Sequence, residues 1–328
     1  MPIIGGFFGL GKPHADARLR LTCRDGTGYP HFALCKGTGK GKALSQVKNR
    51  FRVGNIELVV LSDGAYYLDA GATFGVVPRV MWEPLAGSLD DHHRLSLGLN
   101  CLFLRSQGKD ILIETGVGDK DGGMRSQSSP LAEGNLLSDL AAHFGPPEEV
   151  DVVINTHLHA DHCGWNTRYV DGRLAPTFPR AEYLVQGKEW EVATHPNERT
   201  RATYLSDNLL PVAESGRLRL VDGETKITDE VTVIPTPGHS EGHASVVITS
   251  GREMAIYIGD IVQQAVQLER TAWVSALDVL PLMSMETKKR LVERAIQERA
   301  LLICVHLPFP GVGHMTRTAD GKRKWEPV

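Results

Sequence analysis

The sequence predicts a mixed fold of the α/β or α+β class, because short apolar runs with strand character alternate with a few amphipathic segments. Residues 150–154 are almost continuously apolar, which is typical of a strand buried on both faces of a sheet. Residues 285–301 place Leu291 and Ala295 on an apolar stripe opposite charged residues, which predicts a helix with Ser284 as its N-cap. These elements alone do not choose between the two classes.

Further apolar runs add strands and a second helix to this prediction. Strands are predicted over residues 56–61, 97–104, 111–113, 231–234 and 245–248. The first is expected to end in a turn at residues 62–64, and the second is expected to form a hairpin with the third. Residues 136–144 are expected to form a short helix that stops before Gly145 and Pro146.

The N-terminal part of the chain differs in composition from the rest. Glycine and lysine recur there without a period, as in residues 36–42. We interpret residues 1–50 as an N-terminal extension and residues 51–328 as one domain. Dimer contact, a lid and no role at all are the alternatives for the extension, so a homodimer is left open.

Composition argues against two classes of partner. The 328 residues carry 36 basic and 39 acidic side chains, a net charge of −3, so we expect no nucleic-acid partner. No apolar run approaches the roughly 20 residues of a membrane helix, so we expect no membrane partner.

Two further features favour free thiols and a cytoplasmic location, with secretion left open. The apolar start of the chain follows no basic residue, which argues against a signal peptide. The cysteines are odd in number and widely spaced, at Cys23, Cys35, Cys101, Cys163 and Cys304.

The densest cluster of metal-competent side chains lies directly after the apolar run 150–154. It reads His-x-His-x-Asp-His over residues 157–162, and packing does not require it, because imidazoles and carboxylates are costly to bury without partners. Three more candidates each follow a strand-like run, from which a rigid backbone can direct a side chain into a shared site. The full set suits a two-metal hydrolytic site and comprises His157, His159, Asp161, His162, His239, Asp260 and His306.

This combination resembles the metallo-β-lactamase-fold hydrolases over residues 53–315. The resemblance rests on the His-x-His-x-Asp-His motif, the later Gly238-His239, the Gly259-Asp260 pair and the late His306, in this order. It implies an α+β fold, the αββα sandwich, in which two packed mixed sheets are flanked by helices and the metals lie at one edge.

The resemblance also implies a role for each candidate ligand. The first metal would be bound by His157, His159 and His239, the second by Asp161, His162 and His306, and Asp260 would bridge them. Asp161 and Asp260 are the expected catalytic side chains, with Asp161 or a metal-bound water protonating the leaving group. A nitrogen and oxygen donor set suits two zinc ions, with manganese, cobalt and iron left open.

Two branches of this family are similar to different segments of the chain. Residues 71–82, 177–179 and 195–197 resemble the quorum-quenching acyl-homoserine lactonases, which implies opening of a lactone ring by a hydroxide held between the metals. Residues 306–314 look more like methyl parathion hydrolase, which implies a phosphotriesterase or arylesterase as the alternative. The expected partner is therefore a small-molecule lactone or ester.

Substrate recognition is expected in the loops above the metals. The candidates are Phe74, Trp82, Trp165, Gln263 and Trp273. Some lactonases of this fold have a tyrosine three residues after the bridging aspartate, where this chain has Gln263, so a phenol is missing at that position. His243 is expected to form hydrogen bonds rather than to bind metal, and Asp63 and Glu114 to orient metal-bound histidines.

Other functions fit the sequence less well. A β-lactamase shares the fold but not these loops. An RNA-processing nuclease would need a basic surface, which a net charge of −3 does not indicate. A flavodiiron-type oxidoreductase would usually have glutamate at His159. A binding protein that lost its chemistry is disfavoured by the complete ligand set.

Overall fold

Two β-sheets face each other across the main hydrophobic core. The computed structural model describes residues 49–120, 131–132 and 134–328. The strands are β1 (Arg50–Val53), β2 (Ile56–Asp69), β3 (Arg94–Ser106), β4 (Lys109–Ile113), β5 (Leu131–Ala132), β6 (Val152–Ile154), β7 (Thr167–Val170), β8 (Arg173–Pro176), β9 (Glu182–Gln186), β10 (Leu218–Val221), β11 (Thr225–Lys226), β12 (Val231–Pro235), β13 (Ala244–Ser250), β14 (Glu253–Tyr257), β15 (Leu301–Ile303), β16 (Val312–Arg317) and β17 (Arg323–Pro327). The α-helices are α1 (Ala70–Phe74), α2 (Arg79–Trp82), α3 (Leu136–His143), α4 (Gly187–Thr194), α5 (Ser206–Glu214), α6 (Ala265–Glu269) and α7 (Pro281–Gln297).

Both sheets are mixed, as the αββα prediction requires. The first has the order β1-β2-β3-β4-β6-β9-β10, with β5 paired to β2, and the second runs from β11 to β17 in chain order. Strands β4, β6, β9 and β10 are parallel neighbours in the first sheet, and β14 and β15 are parallel in the second. The expected α+β fold is therefore confirmed.

The core follows from the alternation of side chains along these strands. Leu58 and Val60 of the first sheet share one buried cluster with Val246 and Tyr257 of the second. Full burial of a leucine or valine side chain contributes about 1.5–3 kcal/mol, so this layer dominates the packing between the sheets.

Helices cover the outer faces of the two sheets. Leu136 of α3 packs in a cluster with residues of the first sheet. Leu291 and Ala295 of α7 pack in a cluster with Ile256 and Leu302 of the second sheet, so the apolar stripe predicted for this helix is confirmed.

The turn predicted after residue 61 is wrong. Strand β2 continues to Asp69, and its register with β3 shifts between Ser62 and Ala65. Gly64 has a φ of 96°, and its N–H donates to the Ser62 hydroxyl oxygen over 3.1 Å. Serine and glycine here form a β-bulge, which uses the same residue types as a turn but keeps the strand in the sheet.

The N-cap predicted for the long helix is also wrong. Helix α7 begins at Pro281, whose fixed φ suits the first helical position, and Ser284 lies inside the first turns. The Ser284 hydroxyl donates instead to Oδ2 of Asp278 over 2.5 Å. The helix ends at Gln297, and β15 begins at Leu301. The predicted β3–β4 hairpin, the short helix α3 and strands β6, β12 and β13 are confirmed.

The topology brings four strand ends to the site. Strands β12, β14 and β15 run in the same direction in the second sheet, because β13 is antiparallel to both β12 and β14. Their carboxyl ends, like that of β6 in the first sheet, are each followed within four residues by a candidate metal ligand.

Some predictions fall outside the described residues. They concern residues 1–48, which include Cys23 and Cys35. The division of the chain at residue 50 therefore stays a prediction. The described thiols, Cys101, Cys163 and Cys304, are free and buried. Within the described ranges, no helix has the length and apolarity needed to cross a bilayer.

Candidate metal centre

Three histidine nitrogens meet at the edge of the two sheets. Nε2 of His157 lies 3.0 Å from Nδ1 of His159, and Nε2 of His239 lies 3.1 Å from the same Nδ1. His157 and His159 follow β6, whereas His239 follows β12, so the two sheets both contribute to this triad. All three side chains are buried.

Asp260 lies between this triad and a second group of donors. Its Oδ1 is 3.2 Å from Nε2 of His162 and 3.0 Å from Nε2 of His306, and its Oδ2 is 3.3 Å from Nε2 of His239. Oδ2 of Asp161 completes the second group, at 3.4 Å from Nε2 of His162 and 3.7 Å from Nε2 of His306. Asp260 therefore has the geometry of a bridge between two clusters.

The outer nitrogens of these rings face hydrogen-bond acceptors. Nδ1 of His239 lies 2.9 Å from Oδ1 of Asp278, and Nδ1 of His306 lies 2.9 Å from the carbonyl oxygen of Gly98. An acceptor at Nδ1 places the ring proton there and leaves Nε2 as an unprotonated lone pair. The inner nitrogens of both rings therefore point their lone pairs into the site.

The donor set fits divalent metal ions. The buried Nε2 of His162 and Oδ1 of Asp260 have no hydrogen-bond partner in the described part of the chain, although they lie 3.2 Å apart. Converging lone pairs and carboxylate oxygens without donors are costly to bury unless a cation accepts them. The seven predicted ligands form three overlapping groups whose donor atoms lie within 4.8 Å of one another.

The electrostatics favour the metal-binding forms of His159 and Asp260, whereas at His162 and His239 burial lowers the pKa but Asp260 and other carboxylates outweigh it and raise the pKa. Burial and the neighbouring His239 lower the pKa of His159 to about 3, so its ring is neutral near pH 7. Burial opposes ionisation of Asp260, but His162, His306 and His239 outweigh it and hold its pKa well below the usual range. A neutral imidazole and an ionised carboxylate are the forms that bind metal.

Glu114 occupies the orienting position expected of it. Its backbone has a φ of 64°, and Oε1 accepts from the Thr156 N–H over 2.6 Å. Its Oε2 lies 3.2 Å from Nδ1 of His162. Burial raises the pKa of this carboxyl, and the contact with His162 opposes that effect.

Asp63 does not orient a histidine, so that expectation is wrong. Its carboxylate accepts from the N–H groups of Val117 and Gly118 over 2.9 and 3.0 Å, and from Nε1 of Trp165 over 2.9 Å. Asp63 instead holds the segment that follows β4 against the loop carrying Trp165.

His243 forms hydrogen bonds, as expected, and lies in none of the three donor groups. Its Nε2 accepts from the Asp260 N–H over 3.0 Å, and its Nδ1 lies 3.0 Å from the carbonyl oxygen of Thr236. His243 thereby fixes the backbone that carries Asp260. The thiol of Cys163 points to the carbonyl oxygen of His159 over 3.2 Å and is not in a donor group either.

Three of the four candidate pocket aromatics lie in one buried cluster. Phe74 stacks on Trp82 with ring centroids 4.9 Å apart and meets Trp273 edge to face at 5.8 Å. Gln263 is buried beside the Asp260 backbone. Trp165 lies apart from this cluster and is half-buried. Substrate contact by these residues stays a prediction.

Sequence reasoning missed two side chains of this site. Asp278 lies between α6 and α7, where no motif marks it. Tyr66, on β2, belongs to the aromatic cluster and meets the ring of His306 edge to face, with centroids 5.6 Å apart. Burial and the nearby Asp161 raise the pKa of its phenol well above the usual range. Tyr66 thus brings a phenol to the site although Gln263 does not.

Comparison with known families agrees with this geometry. A model of the metallo-beta-lactamase superfamily matches residues 97–305. The chain belongs to this superfamily.

Relatives within the superfamily carry more than one activity. An N-acyl homoserine lactonase from Bacillus sp is 27% identical over 165 residues, which cover 47% of this chain and 59% of the lactonase. The chain thus spans less than two thirds of that relative. The acyl-coenzyme A thioesterase MBLAC2 from Bos taurus is 27% identical over 209 residues, 62% of this chain and 71% of the thioesterase.

Two solved structures share the fold of this chain. A probable metal-dependent hydrolase from Staphylococcus aureus has a TM-score of 0.76 at 24% identity, covering 85% of this chain and 99% of its own. AidC, a dizinc quorum-quenching lactonase in complex with a product, has a TM-score of 0.70 at 20% identity, covering 85% and 96%.

Proposed function

We propose that this chain is a dinuclear metal-dependent hydrolase that opens the lactone ring of N-acyl homoserine lactones. The observation that carries the proposal is the position of Asp260, whose carboxylate lies within 3.3 Å of His239 in one group of histidines and of His162 and His306 in the other. A single-metal site would not need a carboxylate in this bridging position. The choice of substrate rests on the lactonases among its relatives.

The ligand assignment follows two of the three donor groups, and Asp260 belongs to the third with one histidine from each. His157, His159 and His239 would hold one metal, and Asp161, His162 and His306 the other, with Asp260 shared. Nitrogen and oxygen donors with no thiolate suit zinc, and the structurally similar AidC is a dizinc lactonase. We therefore propose zinc, which metal analysis of the purified protein will test against manganese, cobalt and iron.

The reaction is a hydrolysis in which the chain's own residues orient groups and move a proton. Divalent metals supply Lewis acidity and lower the pKa of water bound to them to about 7. Water adds to the lactone carbonyl carbon, the ring C–O bond breaks, and the leaving alkoxide takes up a proton to give the N-acyl homoserine. Asp161 is placed to relay that proton, because it lies beside His162 and His306 and is less enclosed than either. Burial raises the pKa of this carboxyl, but the two histidines outweigh it and hold the pKa below the usual range, so Asp161 is ionised between transfers.

The surrounding residues keep this site ordered. Glu114 fixes His162, and Asp278 fixes His239. His243 fixes the backbone of Asp260. The buried aromatic cluster of Phe74, Trp82 and Trp273 packs with Tyr66, whose ring meets that of His306, and so supports this wall of the site. Preorganised ligands avoid the cost of rearrangement during the reaction.

An acyl-thioester hydrolase is the second candidate function. The relationship to MBLAC2 favours it, and a thioester carbonyl needs the same nucleophile as a lactone carbonyl. The two substrates differ in their leaving groups. A thioester releases a thiolate of low basicity, whereas a lactone releases an alkoxide that needs a proton. A thioesterase would therefore depend less on Asp161 than a lactonase does.

A comparative assay on one metal-quantified preparation tests the proposal. It measures kcat/KM for a long-chain acyl-homoserine lactone, an acyl-coenzyme A thioester and methyl paraoxon. We expect the lactone to be preferred by a hundredfold or more. A preference for the thioester would replace the lactonase with the second candidate, and one for methyl paraoxon would assign a phosphotriesterase.

A further inference from the structure

Glu189, in the first turn of α4, is a fully buried carboxylate with three hydrogen-bond donors around it. Its Oε1 accepts from the Leu158 N–H over 3.0 Å and from the Tyr204 hydroxyl over 3.1 Å. Its Oε2 accepts from the Ser240 hydroxyl over 2.5 Å. A carboxylate that accepts three hydrogen bonds while shielded from water is a strong local constraint.

Each of the three donors lies next to a proposed ligand of the first metal. Leu158 is the residue between His157 and His159, and Ser240 directly follows His239. The ring of Tyr204 lies against the ring of His159, with centroids 4.9 Å apart. Glu189 therefore contacts both segments that carry this triad and the tyrosine that packs on His159.

These segments come from different sheets. The loop after β6 belongs to the first sheet, and the loop after β12 belongs to the second. A Cβ atom on Gly242 would lie 2.1 Å from the backbone nitrogen of Glu189, so the second loop packs directly on the start of α4. Glu189 thus connects two loops whose relative position decides whether the three nitrogens converge.

We propose that Glu189 is a positioning residue that sets the geometry and the affinity of the first metal site. The proposal rests on the dinuclear centre of the proposed function. Glu189 acts through Leu158, Ser240 and Tyr204 and touches no metal itself. Glu114 faces His162, a proposed ligand of the second metal.

Cobalt binding to the apo-protein tests this role without an activity assay. The variant Glu189→Gln keeps the size of the side chain but removes its charge and one acceptor. Glu191→Gln, on the exposed side of the same helix, is the matched control, and Glu114→Gln is the reciprocal variant. Titration with Co²⁺, followed by visible absorption and chelator competition, gives a dissociation constant for each site. His239→Ala and His306→Ala assign the two spectra.

We expect Glu189→Gln to weaken the first site by about 10- to 100-fold, the usual effect of losing a group that orients metal ligands. The second site should change at least fivefold less, and Glu191→Gln should match the wild type at both. Glu114→Gln should affect the second site more than the first. With the lactone substrate, Glu189→Gln at saturating metal should lower kcat more than it raises KM.

Three outcomes would overturn the proposal in distinguishable ways. If the wild-type protein binds fewer than two Co²⁺ ions, the proposed dinuclear centre is rejected, and the role of Glu189 is rejected with it. Two bound ions and an unchanged first site in Glu189→Gln would reject the positioning role alone. Equal weakening of both sites with a lower Tm would assign Glu189 to general stability. If Glu189→Gln fails to fold, Ser240→Ala removes one of the three hydrogen bonds and gives the same comparison.

Discussion

Oδ1 of Asp278 lies 2.9 Å from Nδ1 of His239. The contact holds the ring proton on Nδ1 and directs Nε2 toward His159 and Asp260. The second oxygen of Asp278 accepts from Ser284, so α7 fixes the carboxylate and the carboxylate fixes the ring. The orientation of one proposed ligand therefore depends on a helix that supplies none.

Asp278→Asn should weaken metal binding at the first site by about 10- to 100-fold, because the amide orients the imidazole less strongly than the carboxylate does. Competition with a chromophoric chelator measures this affinity. Asp222→Asn, an exposed change of the same kind, should leave it unaltered. Equal affinities in Asp278→Asn and wild type would remove Asp278 from the site.

Asp260→Ala should reduce the bound metal from two ions to one or none, because it removes the shared ligand. We expect kcat/KM on the lactone to fall by roughly a thousandfold or more, about 4 kcal/mol of transition-state stabilisation. Elemental analysis and steady-state kinetics on the same preparation check both effects. Activity that survives the change would contradict a two-metal mechanism.

Tyr66→Phe should lower kcat by roughly tenfold or more, because it removes the hydroxyl beside Asp161. It keeps the ring and its contact with His306. KM and metal content should stay within about threefold of the wild type. Tyr67→Phe, the neighbouring half-buried tyrosine on the opposite face of β2, is the matched control. A Tyr66→Phe enzyme with unaltered kcat would show that the phenol only packs against the site.

Lys288 should make stability rise with pH in a defined alkaline range. Burial lowers its pKa from 10.5 to about 8, and its ammonium donates to the carbonyl oxygen of Trp273. The folded state then binds fewer protons than the unfolded state between about pH 8 and 10.5, so burial of the charge costs stability below pH 8 and the cost falls as pH rises.

Urea unfolding of wild type and Lys288→Met across this range measures the effect. The wild type should gain up to about 3 kcal/mol relative to the variant between pH 8 and 10.5, since one pKa unit corresponds to about 1.4 kcal/mol. The difference between the two proteins isolates Lys288 from tyrosines and cysteines that titrate in the same range. Two parallel stability curves would show that Lys288 does not change its protonation on unfolding.

The proposed ligands could be predicted because each lies in a segment that follows an apolar strand. A strand end fixes the direction of the side chains that follow it. The strands before His157, Asp260 and His306 can be recognised in the sequence as runs of apolar residues. The supporting role of His243 could be predicted too, since Gly238 and Gly242 argue against a helix that would aim both His239 and His243 at the metals.

The groups that hold the ligands could not be predicted in the same way. Asp278 and Glu189 lie in a loop and a helix far along the chain from their partners, and nothing local distinguishes them from exposed acids. Their function depends on long-range packing, which a single sequence does not record. The turn predicted at residues 62–64 failed for a related reason, because serine and glycine serve bulges as well as turns.

The proposed first metal would take two ligands from the loop after β6 and one from the loop after β12, in opposite sheets of the sandwich. Metal occupancy and the packing of the two sheets are then thermodynamically linked, because whatever stabilises one stabilises the other. A cavity made far from the site, for example by Leu58→Ala in the layer between the sheets, should lower metal affinity as well as stability. Chelators should correspondingly increase hydrogen exchange in the strands of both sheets, well beyond the residues that bind the ions.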